Sequence, residues 1–173
     1  LKLHTGDTAL TLERIQNELE DIGIAALPSR IPKQFSVHTI AVTPLVFIAP
    51  AGRKELHIDK KLEWGAIPMI LSESGLARER ADRWFREQRV KPSIYAQVAG
   101  NEAIVSMVSL GFGVGLVPKL VVENSPLAQN IKILDINHSM EPFSIGVCVL
   151  RRKMSNPLIK AFWDLAVYSR DQV

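Results

Sequence analysis

Apolar and polar positions switch repeatedly between two periods along this chain. Leu1-Lys2-Leu3-His4-Thr5 alternates and predicts a strand, which Gly6-Asp7 breaks. Asp7 or Thr8 can cap a helix whose apolar stripe is Leu12, Ile15 and Leu19. Asp21 to Leu27 predicts a short buried strand closed by Pro28. Phe35 to Thr43 and Leu45 to Ala49 predict two more, parted at Pro44. Residues 53 to 65 are charged and poorly periodic. Ile67 to Leu71 then reads as a strand, Ser72 to Gly75 as a turn, and Leu76 to Gln88 as a helix with Ala77, Ala81, Trp84 and Phe85 on its apolar face. A strand at Ile94 to Val98 leads into a helix opening at Gly100-Asn101. That helix carries Ile104, Val105 and Val108 and ends at Gly111. Val114 to Val117 is a strand again, with Pro118 in the first turn of a short helix ending near Glu123. Beyond a polar loop at Asn124 to Asn130 come strands at Ile131 to Ile136 and Phe143 to Leu150. Asn156-Pro157 starts a last helix with Ile159, Phe162, Trp163 and Ala166 on one face.

Strands alternating with helices predict βαβ units, parallel sheet and an α/β fold class. Two lobes are expected. Residues 52 to about 140 make a complete α/β unit, and residues 1 to 45 join residues 142 to 173 in the other, so the backbone crosses between lobes twice.

Composition narrows the class without naming a function. With 173 residues, 47% of them hydrophobic, the chain can bury a core as one domain or two small lobes, which excludes disorder and low complexity. A net charge of +3 is too slight to mark a duplex-binding surface. The densest charged stretch, Arg78 to Lys91, mixes Glu79, Asp82 and Glu87 with its arginines. It reads as a solvated helix face, with phosphate contact the minority reading. The single cysteine, Cys148, lies in an apolar strand and is expected as a buried core thiol. No long apolar run or export signal is visible, so a cytoplasmic protein is expected. The opening at Leu1 without a Met suggests a fragment.

Tests for chemistry return little. Gly111, Gly113 and Gly115 follow a helix and precede a strand, the reverse of a dinucleotide fingerprint, so a helix cap and a tight strand entry account for them. His4, His38, His57 and His138 are widely separated and none has metal-ligand spacing. His57 with Asp59 lies on a charged surface stretch. No nucleophile elbow is present, and Cys148 lacks a helix start that would activate it. What remains is a row of junctions before helices: Thr5-Gly6-Asp7, Ser72-Glu73-Ser74 and Ala99-Gly100-Asn101. Such starts present free N–H donors and favour anions, and ligands of open α/β sheets bind outside the carboxyl ends of strands. Taken singly, each junction is a plain cap.

The order of motifs resembles the effector-binding domain of LysR-type transcriptional regulators over nearly the whole chain. The resemblance rests on Leu3 to Asp7 running into a helix, on Glu20-Asp21-Ile22-Gly23-Ile24-Ala25, and on Pro44 to Pro50. It rests further on Asn101 to Val108 followed by Gly111-Phe112-Gly113-Val114-Gly115-Leu116-Val117-Pro118, and on Asn156-Pro157 leading into a Trp-bearing helix. Within the family, Lys2 to Asp7 and Ala25 to Pro28 are similar to the branch that activates acetohydroxy acid isomeroreductase expression.

The resemblance implies a two-lobed, type 2 periplasmic-binding-protein-like fold, each lobe a mixed sheet flanked by helices. Residues 1–45 and 142–173 would form lobe I and residues 46–141 lobe II. It implies a small carboxylate effector in the interlobe cleft, acetolactate or acetohydroxybutyrate, that controls genes of branched-chain amino acid biosynthesis. No cofactor, metal, catalytic residue or membrane is implied. Carried to matching positions, the effector site would use Thr5, Gly6 and Asp7, then Leu71 and Ser72, and Gly100 and Asn101, with Phe112 near the rim. The effector domain would form homodimers through residues 1–5 and 76–88, with Trp84 and Phe85 as core. Promoter DNA would be bound by an N-terminal winged helix-turn-helix, and the full protein would be a tetramer. The match begins at the family's second strand, so the winged helix, the linker helix and the first strand and helix of the domain are expected outside this sequence. Two other functions stay open on the same scaffold: a free-standing solute-binding protein, and an enzyme for which Asp7 is the obvious carboxylate.

Overall fold

A computed structural model describes residues 1–52, 64–136 and 140–168; His57, Asp59 and His138 lie outside the described residues. The chain divides into two compact units, Leu1–Thr43 with Phe143–Val173, and Pro44–Pro142.

The first unit is built on a three-stranded sheet in the order β1 (Gly23–Ala26), β8 (Phe143–Leu150), β2 (Phe35–Thr43), with both pairings antiparallel. The middle strand β8 is covered on both faces, and it reads as a continuous apolar run. Its side chains alternate between two cores. Cys148 and Leu150 pack with Phe35 and with Ile15 of α1 (Thr8–Gln16). Val147 and Val149 pack with Ile159 of α5 (Pro157–Tyr168), flanked by Trp163 and Ala166. The sheet therefore lies between two helices.

Three expectations for this unit fail for physical reasons. Residues 1–5 form no strand, and Leu1 and Leu3 are fully exposed, because alternation makes a strand only beside a neighbour and no described strand pairs there. His4 instead meets Glu20, which Arg14 also binds. Leu19 is exposed because α1 stops at Gln16 and Glu18 turns the chain with φ of 57°. Phe162 is likewise left exposed, outside the inner face of α5.

Cys148 is 1% exposed, and burial pushes its thiol from 9.0 up to about 11. A raised acid value in the folded state contributes stability that is full below the unfolded value and is lost as pH climbs from about 9 towards about 11. Near pH 8 the thiol should react with an aromatic disulfide reagent only as fast as the first unit opens, and at once in denaturant. Rapid stoichiometric labelling of the native chain would contradict this burial.

The second unit holds a five-stranded sheet in the order β5 (Ser93–Val98), β4 (Pro68–Ser72), β6 (Val114–Pro118), β3 (Leu45–Pro50), β7 (Ile131–Ile133). Parallel pairing is confined to β5, β4 and β6; β3 runs antiparallel to β6 and β7. The last strand is shorter than expected, although the Leu134 N–H still donates to the Phe47 carbonyl at 2.8 Å. On one face, Ile104, Val105 and Val108 of α3 (Asn101–Ser109) pack on Ile48, Ile70 and Val117. On the other, Trp84 and Phe85 of α2 (Gly75–Glu87) surround Phe47 with Trp64. Both α2 aromatics are core, as expected. The short α4 (Lys119–Glu123) follows β6.

The three spaced glycines each have a structural cause. Gly111 takes φ of 90° and closes α3, with its own N–H donating to Val108 and that of Phe112 to Met107. A Cβ on Gly113 would lie 2.2 Å from the Pro68 carbonyl oxygen, and one on Gly115 would lie 2.5 Å from Ile104.

The chain passes between units at Thr43–Pro44 and again at Pro142–Phe143. Thr43 and Phe143 are cross-strand partners in the first unit's sheet. On the second unit's side the Pro44 carbonyl accepts from the Lys119 N–H at 2.8 Å. No described helix is long and apolar enough to cross a membrane.

Candidate functional site

Parallel pairing of β4 with β5 decides which junctions meet. Ser72 is in register with Val98, and the Glu73 N–H donates to the Val98 carbonyl at 3.2 Å, so Leu71-Ser72 and Gly100-Asn101 lie side by side at the carboxyl edge of the two strands. From that edge α2 starts toward one face of the sheet and α3 toward the other. Gly100 caps α3 in the left-handed region (φ 88°), and no side chain caps the helix. Its first N–H groups and positive dipole end thus face outward, suited to an anion or a carbonyl oxygen. Leu71 is 1% exposed and packs in the core, so only its backbone is available to a ligand. Ser72 is half-buried.

One residue at this edge had no local signal. Arg78, in the first turns of α2, donates from Nη1 to the Ser72 carbonyl at 3.2 Å and to the Gln97 side-chain oxygen. Its Nε lies 2.9 and 3.1 Å from the two Asp82 oxygens. The i,i+4 pair with Asp82 is legible in the sequence as a surface pair. The reach to Ser72 and Gln97 requires knowing that β4 and β5 are neighbours. Asp82 balances the arginine, and Glu102 stands in the first turn of α3. The edge can therefore hold a small ligand mainly through oriented N–H, hydroxyl and amide groups rather than through net positive charge.

The other expected site residues belong to other elements of the fold. Thr5 and Gly6 are exposed and precede α1 in the first unit. The Asp7 carboxylate there accepts from the Leu10 N–H at 2.8 Å, so it already serves the helix start. Phe112 is separated from the β4–β5 junctions within its own unit. A helix joining parallel strands runs back along the sheet, so the residue after α3 returns to the edge where the strands begin. There Phe112 is 46% exposed and stacks on Tyr95 with ring centres 6.2 Å apart. Among the described residues no group of three His, Cys, Asp or Glu side chains could hold a metal ion.

A two-unit α/β chain whose helix starts gather at a sheet's carboxyl edge is the architecture of a small-ligand-binding domain. Residues 1–169 match the LysR substrate binding domain, and the chain belongs to that family. It is 40% identical over 169 residues to the HTH-type transcriptional activator IlvY of Haemophilus influenzae, covering 95% of this chain and 58% of that protein. It is 37% identical over 172 residues to the HTH-type transcriptional regulator IlvY of Escherichia coli, with the same coverage. The chain thus spans under two-thirds of the length of these relatives. Among solved structures it is similar to the effector-binding domain of QuiR in complex with shikimate, with a TM-score of 0.78, 25% identity, and 96% of this chain and 79% of that one covered. The apo regulatory domain of HypT from Salmonella typhimurium shares the fold at a TM-score of 0.81 and 14% identity, over 99% of this chain and 83% of that one.

Proposed function

We propose that this chain is the effector-sensing region of a transcriptional activator and that its effector is acetolactate or acetohydroxybutyrate, which would place branched-chain amino acid biosynthesis genes under its control. The observation that carries the reading is 40% identity to an IlvY activator across 95% of the chain. The geometry agrees with the chemistry of such acids. The uncapped start of α3 suits a carboxylate, and Ser72 and Asn101 stand beside it to meet a hydroxyl and a keto oxygen. Shikimate, in the QuiR structure, is likewise a small hydroxy acid. Promoter DNA is bound by a part of the protein outside this chain, which works as a homodimer through its effector region and as a tetramer when whole. The ligand is bound and released unchanged. To act as a signal it binds one conformation more tightly than another, since equal affinity shifts nothing.

Calorimetric titration tests this. Acetolactate and acetohydroxybutyrate should each give saturable heat, and valine and pyruvate none. Asn101→Ala should weaken the hydroxy acids about tenfold through loss of one hydrogen bond to a charged ligand. Heat from neither hydroxy acid, with this chain or a longer form of the protein, would remove the effector assignment. Undiminished binding by Asn101→Ala would move the site away from this edge.

A further inference from the structure

We propose that Arg80 is a positioning residue that ties the β4–β5 edge to the segment by which the chain leaves the second unit, so that α2 carries the state of one to the other. The inference rests on reading that edge as the effector site, and it concerns how the site is regulated.

Arg80 lies two residues after Arg78 on α2, and the two guanidinium groups engage different segments of the unit. Arg78 holds the Ser72 carbonyl and Gln97. Arg80 Nη1 donates to the backbone carbonyl of Glu141 at 2.7 Å, and its Nη2 stands 3.7 Å from the Glu141 carboxylate. Residue 141 is in irregular backbone, two residues before β8 begins, and the chain passes out of the unit at Pro142–Phe143. Among the described residues, Arg80 is the one side chain bonded to Glu141.

The placement is costly, which argues against an incidental contact. The Arg80 side chain is 12% exposed while that of Glu141 is 62% exposed, so a guanidinium is largely withdrawn from water to grip a carbonyl. Burial pulls its proton affinity down, and the Glu141 charge opposes that pull. The other arginines of this stretch behave differently: Arg83, Arg86 and Arg89 are exposed and make no ion pair among the described residues.

The mechanics follow from helix geometry. Two residues apart on a helix means about 3 Å along the axis and about 200° around it, so the side chains leave in nearly opposite directions from one stiff rod. If a ligand draws Ser72 and Gln97 into a new arrangement, Arg78 moves with them, and the first turns of α2 carry Arg80's anchor along.

Amide hydrogen exchange on the 173-residue chain tests this at Phe143, which β8 pairs with Thr43, with the β6 amides as the reference for an intact fold. Arg80→Met should speed exchange at that amide about tenfold, and Arg78→Met about threefold, although it does not touch it. Arg83→Met should leave it unchanged. If Arg80→Met also opens β6, Arg80→Lys replaces it, keeping the charge but shortening the grip. Saturating acetolactate should alter exchange at Phe143 in the parent chain, and in Arg80→Met give the same heat with no change there. The proposal is overturned if Arg80→Met leaves this amide as it is, or if Arg78→Met behaves like Arg83→Met. Absence of heat with acetolactate would count against the effector alone, because the two arginine variants decide the coupling without it.

Discussion

Gly113→Ala should lower the melting temperature of the second unit by on the order of 10 °C, the larger of the two substitution effects that the packing implies per atom added or removed. The added Cβ would stand 2.2 Å from the Pro68 carbonyl oxygen and 2.9 Å from its carbon. Both are backbone atoms at the start of β4, so no side chain can swing aside. Relief requires β6 to part from β4 where Met69 pairs with Val114, beside the core that seats α3. Overpacking of this kind costs about 3 kcal/mol or more. Gly52→Ala is the matched control, since a Cβ there meets nothing within 4 Å. Thermal unfolding followed by circular dichroism decides the matter, and a Gly113→Ala chain that melts with the control would show that the closure is looser than described.

Phe47→Ala should destabilise the same unit by about 3–5 kcal/mol, the cost of an aromatic cavity that its surroundings cannot refill. Phe47 is fully buried, with ring centres 4.5 Å from Trp64, 5.1 Å from Trp84 and 6.1 Å from Phe85. These neighbours are stiff and flat, and Trp84 and Phe85 are held on α2, so collapse into the void is poor. In urea the midpoint should fall with an unchanged slope, and the emission of Trp64 and Trp84 should shift to the red. Phe47→Leu should recover most of that loss, costing about 1.5 kcal/mol or less. A Phe47→Ala midpoint equal to that of the parent would mean the aromatic cluster is not the core of this unit.

What could be read in advance depended on whether the cause was local. The run at Phe143 to Leu150 was legible as a strand because the middle strand of a covered sheet is apolar throughout, and the stripe of Ile104, Val105 and Val108 because one helix face seats on one core. The alternation at Leu1 to Thr5 is as regular as that of any true strand here, yet it forms none, since pairing depends on a distant neighbour that no five-residue pattern contains. The Ser72 and Asn101 junctions were legible singly as helix starts. Their adjacency is a matter of strand order, as is the bond from Arg78 to Gln97. Arg80 and Glu141 are 61 residues apart, and nothing in either neighbourhood announces the other. Phe112 is the exception: the direction of a helix between parallel strands already places it at the far edge from Asn101.

The position of β8 has a consequence for the order in which the molecule can form. It separates β1 from β2 in the sheet, yet it is made after both of them and after all of residues 44–142. A chain emerging from the ribosome can close the second unit while residues 1–43 still lack the strand that joins them, so the first unit waits for residues 143–150 and then pays for its longest loop. Until then its two early strands present bare edges, and this is the interval in which a nascent chain is most exposed to mispairing and to holdase capture.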